Sequence, residues 1–93
     1  MQDLTLLDGG LTIKPFQITN DTDQVPMLYV ETSDKSAEAT LTFYRSTDSQ
    51  TFTPHPETKK FTGYLHEPLY GLKKYEFLKI TSNIALLNPK IMW

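Results

Sequence analysis

Hydrophobic and polar residues alternate along much of this chain with a period of two. The clearest stretch places Ala39, Leu41 and Phe43 between polar or amphipathic neighbours, and residues 61–65 and 78–81 repeat the pattern. Successive side chains of a β-strand point to opposite faces of the sheet. The alternation therefore predicts strands that pack one face on a core and expose the other face to solvent.

Turn-forming residues separate these stretches at short intervals. An Asp-Gly-Gly turn signal occupies residues 8–10, and polar or proline-rich segments lie at 20–23, 33–36, 46–49 and 54–57. Turn signals spaced every 8–12 residues or so are typical of sandwiches and barrels built from short strands. Helix signals are scarce, so the pattern favours an all-β chain.

The segments between turns predict about seven or eight short strands, with one change of phase. We place the strands at residues 4–7, 11–18, 25–32, 38–45, 51–53, 59–65, 75–82 and 85–93. Pro15 cannot donate a ladder hydrogen bond, and the hydrophobic phase changes there, so we expect a bulge or an edge at this position.

The strand list predicts an all-β, two-sheet antiparallel sandwich, and the resemblance described below implies that it is immunoglobulin-like. We expect it to occupy residues 1–93 as one domain, with residues 1–7 available as an interaction arm. A jelly roll of eight strands fits the same list as well as an immunoglobulin-like sandwich of seven. The pattern does not decide which of Phe77 and Leu78 faces inward. The predicted core comprises Leu11, Ile13, Leu28, Val30, Leu41, Phe43, Phe52, Phe61, Phe77, Leu78, Ile80, Leu86 and Ile91.

Composition and charge exclude several classes of protein. The 93 residues include no cysteine, which excludes a disulfide framework and a thiolate metal site. A net charge of −2 argues against a nucleic-acid partner. No apolar run approaches the roughly 20 residues that span a bilayer, and the first residues lack a secretory pattern. We expect a complete soluble protein made in a cytoplasm.

Residues that could carry chemistry are few. His55 lies between two prolines, which predicts a rigid exposed loop. His66 precedes Glu67 at a strand end, where adjacent side chains face opposite ways and do not form a pair. Both are interpreted as surface histidines. Asp21 and Asp23 have the alternate spacing that suits calcium, but their loop lacks the glycine and distal glutamate of an EF-hand. We predict a protein that is not an enzyme and has no catalytic, cofactor or metal site, and calcium at the two aspartates stays an open question.

The aromatic residues are too numerous for the core alone. The core cannot hold all six of Tyr29, Tyr44, Tyr64, Tyr70, Tyr75 and Trp93, so we expect some of them on the outer face of a sheet. An exposed row of rings can stack on a sugar, pack against a protein or form cross-strand pairs. Tyr44 and Tyr64 are the candidate glycan contacts.

Two stretches resemble known β-sandwich modules. Residues 40–53, Thr-Leu-Thr-Phe-Tyr-Arg-Ser-Thr-Asp-Ser-Gln-Thr-Phe-Thr, look like a hairpin common in immunoglobulin-like and galactose-binding-like domains, with Ser49 where glycine is usual. Residues 71–80 and 90–93 resemble the closing strands of such modules. Small cysteine-free modules of this kind resemble structural proteins of tailed-phage virions, namely capsid decoration or auxiliary capsid proteins.

The resemblance implies a non-enzymatic virion protein that binds and stabilises a phage capsid surface. It implies production in the host cytoplasm, many copies in a symmetric assembly, and partners such as the major capsid protein rather than nucleic acid or membrane. The alternative is a carbohydrate-binding module of a tail or fibre. The two chain ends are the expected contacts with the partner, and their candidate residues are Leu4, Leu6, Leu7, Ile91, Met92 and Trp93.

Overall fold

A computed structural model describes residues 2–19 and 25–92 of the chain. Within that part, nine β-strands and one 3-10 turn at Asp8–Gly10 account for the regular structure. The strands are β1 (Gln2–Asp3), β2 (Leu6–Leu7), β3 (Thr12–Gln17), β4 (Met27–Thr32), β5 (Glu38–Ser46), β6 (Thr53–Thr62), β7 (Tyr64–Pro68), β8 (Phe77–Ser82) and β9 (Leu86–Met92).

The strands form two antiparallel sheets that pack face to face. The four-stranded sheet has the order β1-β9-β4-β7, and the five-stranded sheet has the order β2-β3-β8-β5-β6. Every pair of neighbouring strands is antiparallel. The predicted two-sheet antiparallel sandwich is therefore confirmed.

The strand order separates the two sandwiches that the sequence left open. An immunoglobulin domain places strands A, B, E and D in one sheet and C, F and G in the other. Here the chain passes to the opposite sheet at every connection except β2–β3 and β5–β6. This is the order of a jelly roll. The immunoglobulin-like detail is corrected accordingly, because the hairpin that suggested it is a local feature that both folds contain.

Residues 2–7 belong to the sandwich rather than to a projecting arm. Gln2 and Asp3 pair with β9 in one sheet, and Leu6 and Leu7 pair with β3 in the other. Leu4 and Leu6 also pack against the core. Residues 2–7 therefore cross from one sheet to the other as two short paired strands, and burial of Leu4 and Leu6 stabilises this crossing. Their role in binding a partner stays a prediction.

The core lies between the two sheets and follows the predicted alternation. Its buried residues are Ile13, Phe16, Ile18, Leu28, Val30, Ala39, Leu41, Phe43, Leu65, Leu69, Leu78, Ile80, Leu86 and Ile91. Leu78 faces inward, and Phe77 is half-buried. Leu11 is 42% exposed because it follows the 3-10 turn, so its placement in the core was wrong. Phe52 and Phe61 are also half-buried rather than central.

Prolines and glycines break the ladders where the chain must bend. The register of β3 and β8 shifts between Ile13 and Phe16, which confirms the bulge expected at Pro15. The register of β5 and β6 also shifts between Thr42 and Tyr44. β6 passes through its two prolines there and continues as one edge strand, where prolines are tolerated. Gly63, with φ +84°, ends β6 and sends the chain to the other sheet as β7.

The turn at residues 46–51 closes the β5–β6 hairpin with side-chain hydrogen bonds. Asp48 Oδ1 accepts hydrogen bonds from the backbone N–H groups of Gln50 and Thr51, each at 2.9 Å. Those two bonds, Thr51 first, lower the pKa of Asp48 to about 2. Ser49 takes the left-handed φ of +65° that glycine usually supplies at such a turn. The predicted hairpin is confirmed.

The backbone at Gly10 lies close to the backbone of Leu86 at the start of β9. A Cβ at Gly10 would lie 3.0 Å from the carbonyl oxygen of Leu86, whereas Gly9 has no neighbour within 4 Å, and both have positive φ. We expect Gly10→Ala to lower the free energy of unfolding by about 2–3 kcal/mol and Gly9→Ala by about 1 kcal/mol. Urea denaturation measures both, and equal losses would contradict the close approach.

Candidate functional site

The outer face of the four-stranded sheet is rich in apolar and aromatic side chains. Burial alternates along β4, so that Leu28 and Val30 face the core while Met27, Tyr29 and Glu31 face outward. Neighbouring strands extend each of these three positions into a row across the sheet. Tyrosine and methionine are enriched in protein interfaces, and charged residues other than arginine are depleted there. This face is the candidate functional surface.

Three rings form what we call the tyrosine shelf: Tyr29, Tyr64 and His66. The ring centroids of Tyr29 and Tyr64 are 6.4 Å apart with an interplanar angle of 28°. His66 meets the Tyr29 ring edge-on at 6.0 Å. The antiparallel register explains the cluster, because His66 pairs with Tyr29 and Tyr64 pairs with Glu31. Tyr64 is 66% exposed, so the shelf presents an open ring to solvent.

A carboxylate is held in a fixed position beside the shelf. Oε2 of Glu31 accepts hydrogen bonds from the Tyr29 hydroxyl at 3.0 Å and from Asn88 Nδ2 at 3.3 Å. Its other oxygen, Oε1, contacts the Lys35 ammonium at 3.5 Å. The Asn88 and Tyr29 hydrogen bonds hold the pKa of Glu31 below its ordinary value. Glu31 is therefore an ionised hydrogen-bond acceptor at neutral pH.

The opposite end of the same face carries what we call the methionine row: Pro68, Met27 and Met92. Met27 pairs with Pro68 on β7 and with Met92 on β9, so the three side chains lie side by side across the sheet. All three are half-buried. Val25, just before β4, is 42% exposed. Among the described residues, this row and Val25 are apolar and carry no charge.

The outer face of the five-stranded sheet has a different chemistry. Four threonines, one from each of β3, β8, β5 and β6, form a single row. Beside this row the Lys79 ammonium lies 5.0 Å from the ring centroid of Tyr44 and 5.2 Å from that of Phe52. These rings already have a cation as partner. This face is typical of a solvated sheet surface.

The structure divides the predicted partner contacts into three groups. Leu7, at 41% exposure, and Met92 reach the surface. Leu4 and Leu6 are half-buried against the core, and Ile91 is fully buried. Ile91 therefore cannot contact a partner with its side chain, because it occupies the inward phase of β9. Trp93 lies outside the described residues.

The two predicted glycan contacts lie on opposite faces of the sandwich. Tyr64 belongs to the tyrosine shelf, whereas Tyr44 lies against Lys79 on the five-stranded sheet. Sequence reasoning named Tyr29 among the candidate surface aromatics and His66 as a surface histidine, but it did not assign either residue to a site with Tyr64. It missed the Glu31 carboxylate, and the pairing of β7 with β4 was not predicted.

The described histidines do not combine with acidic residues into a catalytic or metal site. His66 contacts Tyr29, while its neighbour Glu67 pairs with Lys59 at 2.9 Å. Nδ1 of His55 accepts the N–H of Glu57 at 3.2 Å. Within residues 2–19 and 25–92, no group of three or more His, Cys, Asp or Glu side chains could hold a metal ion. Asp21 and Asp23 lie outside the described residues.

A small cleft opens beside the β7–β8 connection. Its lining comprises Phe43, His55, Glu57, Lys59, Leu69, Tyr70, Leu72 and Leu78. Its interior has room for about one water molecule, far less than the roughly 300–1,000 Å³ that is typical of ligand pockets. This cleft is therefore not a pocket for a larger ligand.

Comparison with known proteins identifies no relative. No family model matches the chain, and neither the curated proteins nor the solved structures contain a match. No helix in the described part of the chain is long and apolar enough to cross a membrane.

Proposed function

We propose that this chain is a non-enzymatic structural protein of a phage virion that attaches to a capsid surface through the methionine row. In this proposal many copies bind a symmetric shell and stabilise it, and the partner is another virion protein such as the major capsid protein. The protein is made in the host cytoplasm and resides on the virion.

The observation that carries the proposal is the apolar end of the four-stranded sheet. Met27, Pro68 and Met92 form a row of half-buried side chains on an outer face that would otherwise meet water. With the exposed Val25 beside it, the row forms an apolar surface at one end of the sheet, and contiguous exposed apolar surface is a feature of protein interaction sites. Met92 also belongs to the chain end that the sequence indicated as a contact. By analogy at the level of fold, jelly rolls occur in viral capsid and lectin domains.

The strand edges support docking by a face rather than by strand addition. β7 and β6 are the outermost strands on one side of the two sheets. β6 carries two prolines and two lysines, and β7 ends at Pro68. Prolines and charges at edges prevent pairing with another chain. A partner therefore meets side chains of the outer face.

The experiment is co-sedimentation with phage shells assembled without this protein. We expect wild-type protein to bind the shells and to raise their thermal stability. Met27→Glu places an unpaired charge in the interface, and we expect it to weaken binding by about 30-fold or more, as loss of an interface hot spot does.

Thr42→Glu is the matched control, because Thr42 is a half-buried outward residue on the other sheet. It should bind shells as the wild type does. Circular dichroism confirms that both variants fold. Failure of the wild type to bind any purified shell, or equal loss in both variants, would overturn the proposal.

A carbohydrate-binding module of a tail or fibre is the second candidate function. One observation favours it, namely the open tyrosine shelf next to a fixed carboxylate. This candidate uses the other end of the same face, so the two functions do not compete for the same side chains.

A further inference from the structure

We propose that the tyrosine shelf and Glu31 form a binding site for a neutral pyranose, such as a hexose or N-acetylhexosamine unit of a glycan. The inference rests on the second candidate function and names its ligand class. The site is separate from the methionine row and does not depend on attachment to a shell. The inference rests on three features of the described residues: the open rings, the fixed acceptor and the local charge.

The exposed Tyr64 ring provides a flat apolar platform, and the Tyr29 ring stacks beside it. Tyr29 and Tyr64 are inclined by only 28°, and Tyr64 exposes two-thirds of its surface. One face of a pyranose ring consists of C–H groups, which pack on the electron-rich face of an aromatic ring. The edge-on contact of His66 with Tyr29 supports the platform from one side.

A fixed carboxylate and its hydrogen-bond partners lie beside the exposed Tyr64 ring. Binding sites for small ligands combine an apolar surface with a few placed polar groups. Glu31 pairs with Tyr64 across the strands, and the Tyr29 hydroxyl and the Asn88 amide fix its carboxylate. The 3.5 Å contact with Lys35 is long, and the Lys35 side chain is 75% exposed. A sugar hydroxyl can therefore replace that contact and donate to Glu31.

The charge of the site indicates which sugars it takes. The hydrogen bonds from Asn88 and Tyr29 lower the pKa of Glu31, so the carboxylate is negative at neutral pH. The Lys35 ammonium, 3.5 Å from Oε1 of Glu31, carries the compensating positive charge. On the other side of Tyr29, Lys90 is in register with Asp3, so a second pair of opposite charges lies there. Because the charges of these four residues balance, they leave no net positive charge to attract a sialic or uronic acid, and the site suits neutral sugars.

The test is NMR titration of the labelled full chain with three methyl glycosides: a galactoside, an N-acetylglucosaminide and a sialoside. We expect at least one neutral glycoside to shift the signals of the tyrosine shelf with a dissociation constant on the order of 1 mM. The sialoside should cause smaller shifts at the same concentration.

Two tyrosine variants make the test specific. Tyr64→Ala should weaken binding about tenfold or more, and Tyr64→Phe should retain it because the ring remains. Tyr70→Ala is the matched control, since Tyr70 is 64% exposed and lies outside the shelf. Absence of shifts with both neutral glycosides, shifts located elsewhere, stronger binding of the sialoside, or equal loss in Tyr70→Ala would overturn the inference.

The outcome is distinguishable from that of the capsid proposal. Tyr64→Ala should sediment with shells as the wild type does, whereas Met27→Glu should bind the glycoside normally. One result would overturn the sugar site: Tyr64→Ala loses shell binding, and the wild type binds no glycoside. The shelf would then be a contact with a protein.

Discussion

Replacement of Leu41 by alanine should lower the free energy of unfolding by about 3–4 kcal/mol. Leu41 is fully buried on β5, a strand flanked by β8 and β6 in the five-stranded sheet. Truncation removes the transfer free energy of the side chain and leaves a cavity that packed neighbours fill only partly. Domains of this size are stable by roughly 5–15 kcal/mol, so the loss is a large share of the total.

Thermal denaturation measures this effect directly. One kcal/mol shifts the midpoint by about 4–8 °C in a small domain, so Leu41→Ala should melt about 12–30 °C below the wild type. Thr42→Ala is the control, because the next residue along β5 faces outward, and it should cost less than about 1 kcal/mol. Similar losses at both positions would contradict the inward and outward assignment of this strand.

Loss of the Glu76 carboxylate should be the second large effect. Glu76 receives hydrogen bonds from Arg45 Nε at 2.9 Å and Nη2 at 2.5 Å, and a third from the N–H of Lys73 at 2.7 Å. Together they tie the β7–β8 connection to the end of β5. Breaking a buried ion pair costs about 3–5 kcal/mol. The Arg45 side chain is 27% exposed, so we expect about 2–3 kcal/mol for Glu76→Gln.

Glu67→Gln is the control for this prediction. Glu67 pairs with Lys59 at 2.9 Å, but its side chain is 53% exposed. Exposed pairs contribute up to about 1 kcal/mol. Equal destabilisation by Glu67→Gln and Glu76→Gln would show that the Arg45 contact is no stronger than an ordinary surface pair.

The Glu76 contact also predicts a dependence on pH. The Arg45 hydrogen bonds lower the pKa of Glu76 below its ordinary 4.5. A lowered folded-state pKa gives stability that is present above the unfolded-state pKa and lost as pH falls through the folded-state pKa. The difference in stability between wild type and Glu76→Gln should therefore be full at pH 7 and shrink below about pH 4. A difference that stays constant down to pH 2 would contradict this role.

Local sequence pattern predicted the strands but not the way they pair. The alternation around Leu41 and Ile80 identified the inward faces, and the proline at position 15 identified a bulge, because both depend on neighbouring residues. The jelly-roll order depends on contacts between distant strands, such as β4 with β9. A local alternation of period two carries no information about such contacts. An immunoglobulin-like sandwich and a jelly roll therefore both fitted the same strand list.

The candidate site was predictable only in part for the same reason. Tyr64 was identified as exposed, and Met92 as part of a contact segment, from their residue types and positions. The shelf arises because the register sets His66 beside Tyr29 and Tyr64 beside Glu31. Tyr44, like Tyr64, is a tyrosine on a predicted strand, but it lies on the five-stranded sheet, where Lys79 contacts its ring. Residue type predicts exposure, whereas register decides which exposed residues meet.

The central claim is that the outer face of the four-stranded sheet is the face that binds. The chain has no cysteine, so single-cysteine variants can be labelled at one position each. The decisive measurement is the rate of maleimide labelling of Met27→Cys and Thr42→Cys with and without phage shells. We predict that shells protect the cysteine at position 27 and leave the one at position 42 unchanged. Protection at position 42 with free labelling at position 27 would contradict the account.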